Sequence, residues 1–187
     1  MTLSSPQWLG SLYGLSELGL LLAKRSRSGA APADDGSLRL LWIIVLSTVA
    51  LAIFAANFLP GANSAILMRL RPLAAVLFVA GLALRWYAIV YLGRLFTVNV
   101  AIAVDHPVID SGPYRYIRHP SYSGALLVFL GLGLSFGNVV SLLLLVVLPW
   151  LALSRRMDIE ERALVRALGE PYGRYMARTK RLIPGLY

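Results

Sequence analysis

The feature that most constrains the fold is the apolar segment 124–153, which carries a Gly137-Asn138 pair near its middle. As one helix, its 30 residues would extend about 45 Å, whereas the hydrocarbon layer of a bilayer is about 30 Å thick. A Gly-Asn pair favours a turn. The segment therefore predicts a helical hairpin, with helices over Ser121–Phe136 and Val139–Ser154.

The cations on either side of this segment support the hairpin. Arg115 and Arg118 precede it, and Arg155 and Arg156 follow it. Cytoplasmic segments of membrane proteins are enriched in Lys and Arg, so both pairs are expected in the cytoplasm. Only an even number of crossings between them places both pairs there.

Composition and apolar runs predict further membrane spans in the first half of the chain. Of the 187 residues, 58% are hydrophobic and 14% are charged, against about 25% charged in soluble domains. Three further spans are predicted, over Trp8–Ala23, Leu40–Leu59 and Pro72–Leu92. Glu17 interrupts the first span and is expected to face other helices rather than lipid. We therefore predict an all-α integral membrane protein with about five transmembrane helices, its N-terminus outside and its C-terminus in the cytoplasm.

This topology divides the chain into two regions. The predicted regions are three N-terminal membrane helices (1–92) and a second region (93–187) that comprises a loop (93–120), the hairpin (121–154) and cytoplasmic amphipathic tail helices (155–187). The loop and the tail lie on the same side of the bilayer, so they can build one site at the cytoplasmic interface. By composition alone, the loop fits an aromatic belt with arginines that reach the lipid headgroups.

The tail is predicted to contain a helix over Ser154–Leu168 that stops at Gly169, with Pro171 in the first turn of another helix. Arg156 and Glu160 stand four residues apart and therefore share one face of the first helix. With the arginine on the N-terminal side, this is the less favourable orientation for a pair that only stabilises the helix.

Charge and residue usage exclude several classes of function. The formal net charge is +9, but the cations flank apolar spans. Cations in these positions are typical of residues that orient a protein in the membrane and contact phospholipids, rather than of residues that bind nucleic acid. The chain has no cysteine, which excludes disulfides, thiolate metal sites and cysteine nucleophiles. With two histidines, His106 and His119, no metal site is predicted. The sequence leaves the oligomeric state open.

Four motifs in the second half of the chain resemble those of the isoprenylcysteine carboxyl methyltransferase family, which groups with phospholipid methyltransferases. The motifs are Gly112-Pro113-Tyr114, Arg118-His119-Pro120-Ser121-Tyr122-Ser123-Gly124, Glu160-Glu161-x-x-Leu164 and Gly169-x-x-Tyr172-x-x-Tyr175. The resemblance covers about Leu92 to the C-terminus, so region 93–187 resembles the methyltransferase region of that family. The first three spans match only as hydrophobic helices.

The resemblance implies an enzyme that transfers a methyl group from S-adenosylmethionine to a lipophilic acceptor reached from the bilayer. A lipidated substrate with a prenylcysteine-type carboxylate is one such acceptor. It implies that the cofactor is bound by His119, Tyr122, Gly124, Val108, Gly112, Tyr114 and Glu161, with Tyr172 and Tyr175 as further candidates. Arg156 and Glu160 match the family's arginine and glutamate near the methyl acceptor, which makes them the catalytic candidates.

The chemistry of methyl transfer is compatible with these residue types. A carboxylate acceptor is ionised near neutral pH, so it needs no general base. Arg156 can clamp such an anion with a forked pair of hydrogen bonds. With an amine or hydroxyl acceptor, Glu160 is the better candidate for the proton acceptor. The sequence does not choose between these acceptors.

Two other functions remain open at this point. One is an NADPH-dependent membrane reductase of the sterol-reductase type, whose terminal region is similar. The other is a non-catalytic membrane scaffold whose basic tail docks a partner or anionic lipid. No G-x-G-x-x-G motif of the doubly wound methyltransferases occurs, and Gly131-Leu132-Gly133 lies in an apolar helix where close helix packing is expected. For any of these functions, the cytoplasmic membrane is the expected location, with the site facing the cytoplasm.

Overall fold

The computed structural model describes residues 5–23, 36–96 and 108–187. In this part of the chain all regular structure is helical, apart from two isolated β-bridges. The helices are α1 (Pro6–Ala23), α2 (Ser37–Phe58), α3 (Ala65–Arg69), α4 (Arg71–Leu92), α5 (Pro120–Phe136), α6 (Val139–Leu168) and α7 (Glu170–Arg178). Short 3₁₀ turns cover Pro60–Ala62, Gly93–Leu95 and Gly112–Arg115. The predicted all-α class is confirmed.

Three of the described helices, α2, α4 and α6, are long and apolar enough to cross a bilayer. Helix α5 is apolar but has only 17 residues. Helix α1 has 18 residues and contains Glu17, and it is not among the three. The predicted count of about five crossings, with its assignment of sides, therefore stays a prediction.

The predicted hairpin is present, and its turn is built by the two residues that predicted it. Helix α5 ends at Phe136, and Gly137 adopts the left-handed conformation with φ 69°. Asn138 then caps α6, because its Oδ1 accepts a hydrogen bond from the Ser141 amide at 3.1 Å. The Asn138 Nδ2 also donates to the Leu59 carbonyl at 3.1 Å. The turn is thereby fastened to the end of α2.

Helix α6 differs from the prediction, which divided it at Ser154 into a membrane helix and a tail helix. The structure has one helix of 30 residues from Val139 to Leu168. The division was placed where the sequence changes from apolar to charged. A change of side-chain polarity does not interrupt backbone hydrogen bonding, and the helix continues to Gly169, which ends it as predicted.

Helices α4 and α5 pack closely through glycines, as expected for Gly131. A Cβ at Gly131 would lie 2.6 Å from the Ala74 carbonyl oxygen, and one at Gly81 would lie 2.6 Å from the Gly124 carbonyl oxygen. Both obstacles are backbone atoms, which cannot rotate away. This contact holds the first turn of α5, where the Arg118-His119-Pro120 motif enters the helix, against the last turns of α4.

Helix α2 packs along α6 on the other side of the hairpin. The Ser141 hydroxyl donates to the Ala52 carbonyl at 2.7 Å. Val45, Phe78 and Leu145 are among the buried residues of the core cluster that fills the space between the helices. The core thus fixes α2, α4 and α6 around α5.

A test of the α4–α5 contact is Gly131→Ala. We expect the added methyl group to lower the free energy of unfolding by about 1–3 kcal/mol, because it overpacks a backbone contact. The matched control is Gly14→Ala in α1, where a Cβ meets nothing within 4 Å, and this variant should melt at the wild-type temperature or slightly above it. Thermal unfolding in one detergent gives both values. Equal melting temperatures of the two variants would contradict the close contact.

Candidate functional site

A cleft opens at the end of the bundle where α5 begins and α7 follows α6. It encloses about 1290 Å³ of empty space, part of which is open to solvent. Its polar lining comprises Glu17, Arg85, Tyr114, Arg118, His119, Ser121, Tyr122, Arg156, Glu160, Tyr172 and Tyr175. Its apolar lining includes Leu20, Leu21, Leu38, Leu41, Trp42, Leu92, Leu95, Phe96, Leu164 and Leu168. A molecule with a charged end and a long apolar end matches this combination.

The two polar segments predicted to meet do so at this cleft. The Arg118 amide donates to the Lys180 carbonyl at 2.8 Å, and the His119 amide donates to the Arg181 carbonyl at 2.9 Å. Ile117 and Lys180 form a parallel β-bridge. The motif that precedes α5 therefore runs beside the segment that follows α7.

Glu161 fastens this junction and orients His119. Its Oε1 accepts from the Arg118 Nε at 2.8 Å and lies 3.1 Å from the His119 Nε2. Its Oε2 accepts from the Arg181 Nη2 at 2.6 Å. Arg118 in turn donates to the Met176 carbonyl at 3.1 Å. Glu161 is almost fully buried, so two guanidinium groups compensate its charge where water does not.

Next to it, Glu160, Tyr122 and Arg156 form a second cluster that faces the cleft. The Tyr122 hydroxyl donates to Glu160. The Arg156 Nε donates to the Tyr122 hydroxyl at 3.0 Å and lies 3.2 Å from the Glu160 Oε1. The Arg156 Nη1 donates to the Ser37 hydroxyl at 3.0 Å. Arg156 and Glu160 thus share one helix face, as their spacing predicts.

His119 connects the two clusters. Its Nδ1 lies 3.6 Å from the Glu160 Oε2, while its Nε2 faces Glu161. The imidazole stacks on the Tyr122 ring with centroids 5.5 Å apart and planes at 13°. The ring is therefore fixed by a carboxylate on each side and an aromatic face.

Three tyrosines from the loop and the tail complete the polar lining. The Tyr175 hydroxyl donates to the Tyr114 carbonyl at 2.7 Å, and the Tyr114 hydroxyl donates to the Ala88 carbonyl at 3.3 Å. Burial raises the pKa of Tyr175 to about 12, and burial also raises the pKa of Tyr114 and of Tyr172. These groups stay neutral hydrogen-bond donors across the physiological pH range.

Not all of the predicted site residues reach the cleft. Eight of the candidate residues line it: His119, Tyr122, Val108, Tyr114, Arg156, Glu160, Tyr172 and Tyr175. Gly124 lies between α4 and α5, where a Cβ would be 2.6 Å from the Arg85 amide nitrogen. Gly112 has φ 55° and abuts the Tyr91 ring. Glu161 lies behind His119, as described above.

The cleft also contains an ion pair that the sequence interpretation did not assign. The Glu17 carboxylate accepts from the Arg85 Nε at 2.6 Å and from the Arg85 Nη2 at 2.8 Å. The Arg85 Nη1 donates to the Ser121 carbonyl at 3.3 Å. Glu17 faces other helices, as predicted, with 6% of its surface exposed. In the sequence, Arg85 is the single charged residue of the predicted span Pro72–Leu92. A lone arginine in an apolar span indicates a buried acidic partner, which here is Glu17.

Comparison with known proteins gives the same region a family match. Residues 74–166 match the Isoprenylcysteine carboxyl methyltransferase (ICMT) family. A Protein-S-isoprenylcysteine O-methyltransferase of Schizosaccharomyces pombe is 38% identical over 106 residues, which are 56% of this chain and 45% of that protein. Protein-S-isoprenylcysteine O-methyltransferase B of Arabidopsis thaliana is 32% identical over 108 residues, 57% of this chain and 55% of that protein. The chain spans about half the length of these curated relatives.

A solved structure shares the fold. It is titled as the eukaryotic intramembrane Ras methyltransferase ICMT without a monobody. The TM-score is 0.71 at 21% identity, over 97% of this chain and 65% of that chain. The match therefore extends over α1 and α2, where the family match does not reach.

The buried Glu17–Arg85 pair can be tested by comparing a variant that removes one charge with a variant that removes both. We expect Glu17→Ala to destabilise the protein by about 3–5 kcal/mol, because it leaves a buried guanidinium without its counter-charge. Glu17→Leu combined with Arg85→Met should recover most of this loss, since no buried charge remains. Arg39→Ala removes an exposed cation and serves as the control. Thermal unfolding in detergent measures each variant. If the double variant is no more stable than Glu17→Ala, the pair does not carry this energy.

Proposed function

We propose that this chain, whose residues 74–166 match the isoprenylcysteine carboxyl methyltransferase family, is an integral membrane enzyme which methylates a lipophilic acceptor. The methyl donor is S-adenosylmethionine. The names of the relatives indicate a prenylcysteine-type carboxylate as the acceptor. The observation that carries the proposal is the Tyr122–Arg156–Glu160 cluster in a cleft with a long apolar wall.

The donor set of the cleft fits the charged parts of S-adenosylmethionine. Arg118, which lines the cleft, brings a guanidinium that suits a carboxylate, and the Glu160 carboxylate suits an amine or a ribose. The faces of Tyr114, Tyr172 and other aromatic rings of the lining suit a sulfonium cation. When bound, the cofactor would supply a methyl group: the acceptor atom would bond to the methyl carbon as the bond from that carbon to sulfur breaks, and S-adenosylhomocysteine would leave.

The residues of this chain contribute alignment and charge placement. Arg156 is buried and held at its Nε by Tyr122 and Glu160, so its guanidinium is preorganised to orient an anionic acceptor. Glu160 is engaged by Tyr122 and Arg156, which suits a residue that positions Arg156 more than one that removes a proton. A carboxylate acceptor requires no proton removal. The site geometry therefore favours a carboxylate over an amine or a hydroxyl.

The apolar lining supports a lipophilic acceptor that enters from the bilayer. Leu38, Leu41 and Trp42 of α2 face the cleft opposite Leu164 and Leu168 of α6. For an alkyl or isoprenoid chain that arrives from the hydrocarbon layer, this lining avoids the cost of about 0.8 kcal/mol for each CH₂ group that exposure to water would carry. The partners we propose are thus the bilayer and a lipidated or lipophilic small-molecule substrate, without nucleic acid.

The two other functions considered from the sequence receive no support. The relatives described above are named methyltransferases, whereas the reductase hypothesis rested on a similar terminal region alone. A non-catalytic scaffold would not need a buried arginine and a half-buried glutamate directed into a cleft. Methyl transfer is therefore the function that the site supports best.

The catalytic assignment is tested by Arg156→Ala and Glu160→Ala. We expect each to lower kcat at least about 100-fold, because preorganised charge at the acceptor is lost. The measurement is transfer of labelled methyl from S-adenosylmethionine to an N-acylated S-prenylcysteine, and to extracted native membranes with identification of the labelled product. Arg155→Ala is the matched control, since its side chain is exposed one residue away. Wild-type turnover in both variants would remove the assignment.

The orientation we propose is a site that faces the cytoplasm from the cytoplasmic membrane. Because the chain has no cysteine, single cysteines can report it directly. Cysteines at the exposed positions Arg115 and Arg174 should react with an impermeant thiol reagent only after the cytoplasmic face is opened. A cysteine at Gly61, where a Cβ meets nothing within 4 Å, should react from outside. Labelling of positions 115 and 174 from opposite sides would refute the topology.

A further inference from the structure

Helix α2 begins beside the guanidinium of Arg156. Ser37 is its first residue, and its hydroxyl accepts a hydrogen bond from the Arg156 Nη1 at 3.0 Å across 119 positions of sequence. Ser37 lies outside the family-matched region 74–166. We propose that Ser37 is a positioning residue which sets the plane of the Arg156 guanidinium for the methyl acceptor. This inference rests on the proposed function, in which Arg156 orients the acceptor.

The geometry of the guanidinium carries the inference. A guanidinium is planar, and a hydrogen bond at Nε alone still permits the group to tilt about the bond from Cδ to Nε. Arg156 is held at Nε by the Tyr122 hydroxyl at 3.0 Å and at Nη1 by Ser37. Two anchors on different nitrogens define the plane. Arg156 is 3% exposed, so water does not substitute readily for a lost acceptor.

Ser37 can serve as an anchor because α2 is fixed to α6 along its length. The Ser141 hydroxyl of α6 donates to the Ala52 carbonyl of α2 at 2.7 Å. At the far end of α2, the Asn138 Nδ2 donates to the Leu59 carbonyl at 3.1 Å. Arg156 itself belongs to α6. The hydrogen bond from Arg156 to Ser37 therefore spans two helices whose relative position is already set by packing.

The same turn of α2 also lines the apolar part of the cleft. Leu38 and Leu41 face it directly after Ser37. An acceptor whose apolar chain lies against these leucines therefore contacts the start of α2, which also carries Ser37. This places acceptor binding and acceptor orientation on one structural element, which is absent from the region that the family match covers.

The test compares Ser37→Ala, Ser37→Thr and the control Ser47→Ala. Ser47 lies on the same helix with an exposed side chain, so it reports the cost of losing a serine hydroxyl from α2. We expect Ser37→Ala to lower kcat about 10-fold, the effect of one hydrogen bond to a charged group. The KM for S-adenosylmethionine should stay at its wild-type value, while the melting temperature should fall slightly, because a buried guanidinium loses one acceptor. Ser37→Thr keeps the hydroxyl and should restore kcat, and Ser47→Ala should behave as wild type.

The kinetic assay uses labelled S-adenosylmethionine and an N-acylated S-prenylcysteine as the probe. Wild-type kcat in Ser37→Ala would overturn the inference. So would a loss of kcat that Ser47→Ala shares, that Ser37→Thr fails to restore or that comes with a raised KM for S-adenosylmethionine. If Arg156→Ala retains full turnover, the catalytic assignment fails instead.

A second measurement does not depend on turnover. In nitrogen-15 NMR of arginine-labelled protein, the Arg156 signals are assigned by their absence in Arg156→Lys. Rotation about the bond from Nε to Cζ exchanges Nη1 with Nη2 and therefore breaks the hydrogen bond to Ser37. It should be slow in the wild type and in Ser37→Thr, and faster in Ser37→Ala. Equal rotation in all three proteins would refute the positioning of Arg156 by Ser37, even in a preparation that transfers no methyl group.

Discussion

The structure depends on ion pairs between carboxylates and guanidinium groups, at a position where neither water nor lipid stabilises a single charge well. Three carboxylates gather at one end of the bundle, and each contacts a guanidinium. Glu17 contacts Arg85, Glu160 contacts Arg156, and Glu161 contacts both Arg118 and Arg181. A buried charge without a partner costs several kcal/mol, so each pair fixes the relative position of the elements that carry it. The cleft is the space that these pairs enclose.

The pairs alone would not align the helices, and apolar packing completes the frame. Glycines bring α4 within backbone contact of α5, so Arg85 reaches the Ser121 carbonyl at the start of α5. The turn at Gly137 then returns the chain as α6, which carries Arg156 and Glu160 back to the same end of the bundle. The far end is closed by Asn138, which bonds to the connection after α2. Polar contacts at both ends thus hold the apolar packing that lies between them.

Local sequence signals predicted those parts of the structure that local physics decides. Gly137-Asn138 predicted the hairpin, and the spacing of Arg156 and Glu160 predicted their shared face, because both depend on residues that are close in sequence. The contacts of Arg156 with Ser37 and of Arg85 with Glu17 join residues 119 and 68 positions apart, and no period or motif encodes such a pairing. Gly124 shows a different limit: a glycine inside a motif suits either a ligand or a helix contact, and only the packing of α4 against α5 reveals the second use.

Helix α6 carries Arg156 and Glu160 next to the boundary between its apolar and charged parts. The helix is apolar through Leu153 and charged from Arg155 onward without a break, so Arg156 lies within one turn of the change. An amphiphile in a bilayer places its polar end at the same boundary, because its apolar chain partitions into the hydrocarbon layer. The register of one continuous helix therefore brings the guanidinium to the depth at which a lipid presents its polar group. A break at Ser154, as the sequence suggested, would leave the position of Arg156 and Glu160 independent of the apolar part of the helix.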